Sequence, residues 1–251
     1  MTGITRGVFG PVMMMSVACG GAPKVSRLPE DSAAKGQCLP ISPVPSERVT
    51  FLDDAGTQRS EGWAQLTKAE ILGLLPNQEC LSSTTQLDAT GGATFLSAGI
   101  TAEAGEYTST LDYALFRVEP ITPGLTASNR SGQAHVGVTI RIKADVMTTK
   151  AGVNLGSLMA IGAAAQEQSA SGRLQVFVIG VDSADIVQLF PTPTVIDQTS
   201  IQKTLEAVAS IKAKIADPQT TLRPHTFEVC LANADKAQTV TAAKQSLLQK
   251  Q

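Results

Sequence analysis

Two histidines and four cysteines are the residues of this 251-residue chain whose types most readily do chemistry. The cysteines are Cys19, Cys38, Cys80 and Cys230. None stands in a C-x-x-C, which argues against a thioredoxin-like redox site and against a zinc ribbon. In an oxidising compartment Cys38 and Cys80 form the preferred disulfide pair, because both sit in polar, loop-like surroundings that a staple would tie together. Cys230 lies in the apolar run Phe227-Glu228-Val229-Cys230-Leu231 and reads as a buried free thiol. Its pairing with Cys38 or Cys80 stays open. His135 begins a β-like run and His225 follows Pro224 just before another. With no partner motif beside them, both are expected to be hydrogen-bonded structural residues rather than ligands or bases.

Other catalytic patterns are sparse. The chain has no H-E-x-x-H, G-x-S-x-G, P-loop or G-x-G-x-x-G. No run of alternating Asp residues suggests calcium. Ser200-Ile201-Gln202-Lys203 has the S-x-x-K spacing at a helix start in which serine acylases of the penicillin-binding class place their nucleophile. Lys150-Ala151-Gly152 resembles their K-T-G only loosely, its order is reversed, and no S-x-N lies between the two. Ser32 and Lys35 repeat the spacing in a Pro-rich lead. Glu103, Glu106 and Asp112 are the carboxylates best placed for a glycosidase-like pair, and their simpler reading is a solvated strand edge. We therefore expect no catalytic residues, no metal, no cofactor and no enzymatic activity.

The elements that would position these residues read as follows. Residues 20–60 contain Pro23, Pro29, Pro40, Pro43 and Pro45, an extended tether lying over the domain. Thr67 and Glu70 form a capping box ahead of Ile71, Leu72, Leu74 and Leu75, and Pro76 stops that helix. Strands are expected over 93–101, 106–118, 135–147, 174–181 and 222–231. In the third, Val136, Val138, Ile140 and Ile142 alternate with Thr139, Arg141 and Lys143, the pattern of a half-solvated antiparallel strand. Residues 152–165 carry no charge and predict a buried helix, with Gly152 and Gly156 allowing close approach. Helices are also expected over 199–216, capped by Thr199 with Gln202, and over 235–249. The fold class is α+β: a mainly antiparallel sheet with two or three packed helices on one face, preceded by the Pro-rich tether.

The first twenty residues supply an address. Arg6 precedes an apolar run, Val8 to Val17, that ends at Ala18-Cys19-Gly20. This resembles the signal of bacterial lipoproteins, although Ser16 stands where a leucine is usual. The run falls short of the roughly 20 apolar residues a membrane span needs. The resemblance implies cleavage before Cys19, lipidation of Cys19, and a cell-envelope location. Gly20 rather than Asp implies the outer membrane, with anchoring stronger than one acyl chain provides. The expected organisation is a signal over 1–18, a lipid-anchored tether over 19–60 and one α+β domain over 61–251.

A net charge of −2 gives no footprint for nucleic acid. The expected function is a non-enzymatic envelope lipoprotein: a binding or assembly component attached through its lipid, with a protein partner or a second copy of itself. Two alternatives stand beside it. The order of elements over 135–231 loosely resembles the core of perforin-type and cholesterol-dependent cytolysin domains, which implies ring or pore formation with 93–118 as the membrane-entering segment. The other is a hydrolase whose site is assembled from distant residues.

Overall fold

The computed structural model describes residues 37–53, 55–87, 93–96, 101–121, 132–183, 186 and 194–231. The signal 1–18, Cys19, Ser32, Lys35 and the helix expected over 235–249 lie outside the described residues.

The longest elements are two 17-residue strands, β7 (Gly105–Ile121) and β8 (Gly132–Thr148), paired antiparallel along their whole length. They form the middle of a sheet that runs β1 (Gln37–Pro45), β14 (His225–Leu231), β8, β7, β4 (Asn77–Leu87), β5 (Ala93–Leu96). A further strand, β10 (Ala170–Ile179), pairs with β8 over Thr139–Thr148 and carries β12 (Thr194–Val195) on its other side. Strand β8 is so long that β14 and β10 share one of its edges end to end, β14 beside 132–137 and β10 beside 139–148. Among the described strands every pairing is antiparallel. The α+β class with a mainly antiparallel sheet is as the sequence predicts.

The alternation along β8 decides which face is core. Ala134, Val136, Val138, Ile140, Ile142, Ala144 and Val146 are all buried on one face, where two helices cover them. Helix α2 (Leu158–Gln166) packs on α3 (Gln198–Ala216), and Gly162 lets them meet: a Cβ there would lie 2.5 Å from Ile201 Cδ1. Ile201, Val208, Ile211 and Ile215 recur at helical spacing and are buried on α3. Ile161 and Ile211 are fully enclosed. Burial of each such side chain contributes about 1.5–3 kcal/mol.

Several local expectations change. Gly152 is a turn residue with φ +88°, residues 153–154 form the short strand β9 (Val153–Asn154), and the close approach falls at Gly162 instead of Gly152 and Gly156. Helix α3 starts earlier than Thr199: Asp197 is its cap, accepting from Ser200 N at 2.6 Å, while the Ser200 hydroxyl reaches back to Asp197 N. An Asp two residues upstream outcompetes the threonine for the free N–H groups of the first turn. The short helix α1 (Lys68–Leu74) has the Thr67–Glu70 capping box the sequence predicts.

The described part of the Pro-rich lead is not a free tether. Residues 37–45 are edge strand β1 of the main sheet, and β2 (Arg48–Leu52) with β3 (Gln58–Gly62) form a hairpin. Asp53 turns that hairpin by accepting from Ala55 N and Thr57 N. Pro40, Pro43 and Pro45 fit an edge strand, where a missing N–H costs no second ladder. Of the segment 93–118, residues 93–96, 101–102 and 105–118 lie in strands β5, β6 (Thr101–Ala102) and β7. Among the described residues no helix is long and apolar enough to cross a membrane.

Two glycines lie where β14 gives way to β10 along β8. Gly180 turns the chain away from β10 with φ +78°, its carbonyl accepting from Arg223 N. Gly137 lies beside β7 so closely that a Cβ would sit 2.0 Å from the Leu115 carbonyl oxygen. Gly137→Ala is therefore expected to cost about 3 kcal/mol or more, read from the urea midpoint. Gly73→Ala, in α1 with nothing within 4 Å of its Cβ, is expected to gain about 0.5–1 kcal/mol.

Candidate functional site

The helices cover one face of the sheet, so the chemistry-bearing residues gather on the other. There the cross-strand pairs are Asp112 with Arg141, Thr110 with Lys143 and Thr108 with Asp145 from β7 and β8. Phe177 and Ile179 of β10 and Ser83 and Thr85 of β4 extend the same face.

Asp112 and Arg141 are buried, 2 % and 8 % exposed. The Arg141 Nε donates to Asp112 Oδ1 at 2.8 Å and Nη2 to Oδ2 at 2.7 Å, a two-point fork. Nη1 donates to the Ile41 carbonyl at 2.7 Å and Nη2 to the Phe227 carbonyl at 2.9 Å. Both carbonyls lie at irregularities, since β1 shifts register between Pro40 and Val44 and β14 between Thr226 and Glu228. A bulge takes a residue out of its ladder. One guanidinium thus satisfies two bulge carbonyls and a carboxylate. Burial pushes the Asp112 carboxyl up and the nearby Glu228 charge adds to this, while Arg141's hydrogen bonds and charge pull it back; the balance stays above the ordinary carboxylate range. Asp112 is accordingly not the solvated edge residue its sequence suggests. Glu103 and Glu106 are exposed, and Glu106 lies six residues along β7 from Asp112, about 20 Å by strand rise, so the three carboxylates are not brought together.

Beyond this pair, an open cleft of about 930 Å³ crosses the same face. The bulged part of β1, Pro40 to Pro45, forms one wall. Ser83, Thr85, Thr108 and Thr110 offer hydroxyls across the floor, and Phe177, Ile179 and Val181 give it apolar surface. Lys143, Arg223 and His225 supply cationic and imidazole groups at the rim. Lys143 is 3.0 Å from Asp145, and Arg223 is 3.1 Å from Asp182. His225 Nδ1 lies 2.7 Å from the Arg223 carbonyl, a local contact of the kind expected for a structural histidine.

At the other end of the face, beyond Phe116 and Phe227, lie the remaining residues singled out from sequence. The disulfide joins Cys38 to Cys230, directly opposite each other on β1 and β14. It is not Cys38 with Cys80, and Cys230 is not a free thiol. Cys80 sits on β4 opposite Tyr113, on the helix-covered side, with β14, β8 and β7 between it and β1. Four strand spacings put about 19 Å between them, far past the roughly 7 Å a disulfide tolerates. His135 is 3.5 Å through Nε2 from Cys230 Sγ and 2.6 Å through Nδ1 from Glu228 Oε2. Phe116 stacks against its ring at 4.4 Å. Glu228 was invisible as a functional candidate in sequence; its one signal is a charged residue inside an otherwise apolar strand run.

Ser200 and Lys203 do not form an acylase site. The Ser200 hydroxyl is buried and committed to the backbone N–H and carbonyl of Asp197 as part of the helix cap, and Lys203 is exposed.

No family model, curated protein or solved structure matches this chain.

A carboxyl whose folded pKa is raised stabilises the fold most below its unfolded value of about 3.9, and that contribution is lost as pH rises through the folded value. Asp112→Asn removes this titration and one of the two acceptor oxygens of the Arg141 fork, at a cost of about 1–3 kcal/mol. The penalty is expected to be larger at about pH 3 than at pH 7, compared through urea midpoints of the two proteins. A penalty that grows toward neutral pH would mean Arg141's attraction outweighs burial.

Proposed function

We propose that this chain is a non-enzymatic lipoprotein of the cell envelope that holds a segment of a partner protein in the cleft across its open sheet face. The observation that supports this best is the cleft itself: hydroxyls on the floor, apolar surface from Phe177 and Ile179, and a rim with Lys143 and Arg223. Backbone carbonyls and amides of an extended segment would meet the hydroxyls, and its alternate side chains would meet the apolar wall. Phe177 is 43 % exposed, an aromatic of the kind that anchors interfaces when a partner desolvates it. The lipidation of Cys19 rests on the residues before it, and it would place the cleft at the outer membrane.

A second reading, a hydrolase, draws support from the titratable groups at the rim, Lys143, Asp182, Arg223 and His225. Asp182 and Lys143 are already in ion pairs, and no nucleophile–base pair is formed there among the described residues.

Protein purified from its native membranes is expected to have a mass that begins at Cys19 with added acyl chains, and to bring a partner with it. Phe177→Glu is expected to lower the partner's yield at least tenfold with an unchanged melting temperature. An unprocessed mass from Met1 in the soluble fraction would sink the lipoprotein reading. Undiminished partner recovery from the variant would sink the role of the cleft, and hydrolysis of an ester or peptide that His225→Ala abolishes would favour the hydrolase.

A further inference from the structure

The buried group at the disulfide end of the sheet has more metal-ligand chemistry than a structural staple needs. Cys38, Cys230, His135 and Glu228 come from three adjacent strands, and one ligand atom from each lies within 4.8 Å of all the others. His135 and Glu228 are 8 % and 4 % exposed. Among the described residues His135 Nδ1 and Glu228 Oε2 have no aligned hydrogen-bond partner, although they lie 2.6 Å apart. An acid and an imidazole so enclosed are costly unless something engages them.

We propose that reduction of the Cys38–Cys230 disulfide turns this cluster into a binding site for a thiophilic divalent ion of the zinc type. The ligands are the two thiolates and His135 Nε2, with Glu228 behind the imidazole. In a tetrahedral zinc site, bond lengths of about 2.3 Å to sulfur and 2.0–2.1 Å to nitrogen separate those two ligand atoms by about 3.6 Å. Cys230 Sγ and His135 Nε2 are 3.5 Å apart already. Glu228 Oε2 stands 2.6 Å from Nδ1, where a carboxylate behind the imidazole would leave Nε2 to the metal. Phe116 holds the ring plane. Cys38 is half-buried on the edge strand and gives the route in.

The chemistry balances with an external dithiol reductant. Two electrons from it cleave the Cys38–Cys230 bond, the dithiol becomes a disulfide, and two protein thiols result. Metal binding then releases one proton from each thiol to solvent. An external disulfide oxidant reverses this: it takes two electrons and two protons to become a dithiol, the Cys38–Cys230 bond re-forms, and the ion leaves because a disulfide sulfur is no thiolate. The site thus holds metal only when reduced. It lies at the other end of the face from the cleft, and the proposal does not rest on what the cleft binds.

Cobalt(II) is the probe, added to the full chain before and after treatment with a phosphine reductant under anaerobic conditions. The reduced protein is expected to bind one equivalent with thiolate-to-cobalt charge-transfer absorption, and the oxidised protein none. His135→Gln should weaken binding at least tenfold and Glu228→Gln about tenfold or more, both still forming the Cys38–Cys230 disulfide on oxidation, which shows that they fold. The Cys19→Ser/Cys80→Ser chain should keep the absorption in full. Absence of the absorption, its loss in the Cys19→Ser/Cys80→Ser chain, an undiminished affinity in His135→Gln, or a reduced chain that unfolds and is not restored by cobalt would each overturn the proposal.

Discussion

The Arg141 guanidinium is the constraint on which the open face depends. It uses four N–H groups on three strands other than its own: two on Asp112 of β7, one on Ile41 of β1 and one on Phe227 of β14. Its planar fork suits this better than an ammonium would, because the carboxylate and the carbonyls lie in fixed directions around one plane. The bulges in β1 and β14 would otherwise bury unpaired carbonyls, each at a cost of about 1–3 kcal/mol. Replacing either partner of the pair leaves a charge inside the sheet, so the residues are tied to each other more strongly than either is to the fold.

That arrangement sets what each face can do. The helix-covered face is filled by Val, Ile and Ala of β8 against α2 and α3. Among the described residues α2 and α3 leave the other face uncovered. A small apolar patch of Ala114, Phe116, Ile179 and Phe227 divides it. On one side of that patch lies the cleft with its hydroxyls and rim charges, and on the other the sulfur–imidazole–carboxylate cluster.

The elements were legible where a residue's role is set by its neighbours in sequence. Val136, Val138, Ile140 and Ile142 mark the helix-facing side of β8, and Ile201, Val208, Ile211 and Ile215 give α3 its inner stripe; β8 is not half-solvated, however, because His135, Thr139 and Arg141 on its other side are buried by partners distant in sequence. Thr67 and Glu70 form a cap within a single turn. The site residues were not legible, because their partners are distant: Asp112 and Arg141 are 29 positions apart, and Cys230 and His135 are 95 apart. Polar surroundings drew Cys38 and Cys80 together in sequence, yet strand order puts three strands between them and sets them on opposite faces. Prolines made 37–45 look like a tether, since the same missing N–H that suits an unpaired linker also suits the outer strand of a sheet.

Strand β1 joins the two halves of this face. It is an edge strand with one ladder neighbour, and three of its nine residues are prolines that cannot donate. Backbone pairing alone therefore holds it weakly, yet its bulged middle is the wall of the cleft. Three other contacts fix it: the Cys38–Cys230 bond at its start, Arg141 on the Ile41 carbonyl at the bulge, and Ser46 N on the Pro224 carbonyl just past its end. The disulfide spans 192 positions, a separation at which the chain-entropy account gives a stabilisation of about 5 kcal/mol. The wall is therefore positioned by one covalent bond and one buried guanidinium more than by its own sheet pairing. A sequence free to vary residues 42 and 43 would still need Cys38, Cys230 and Arg141 to hold that wall in place.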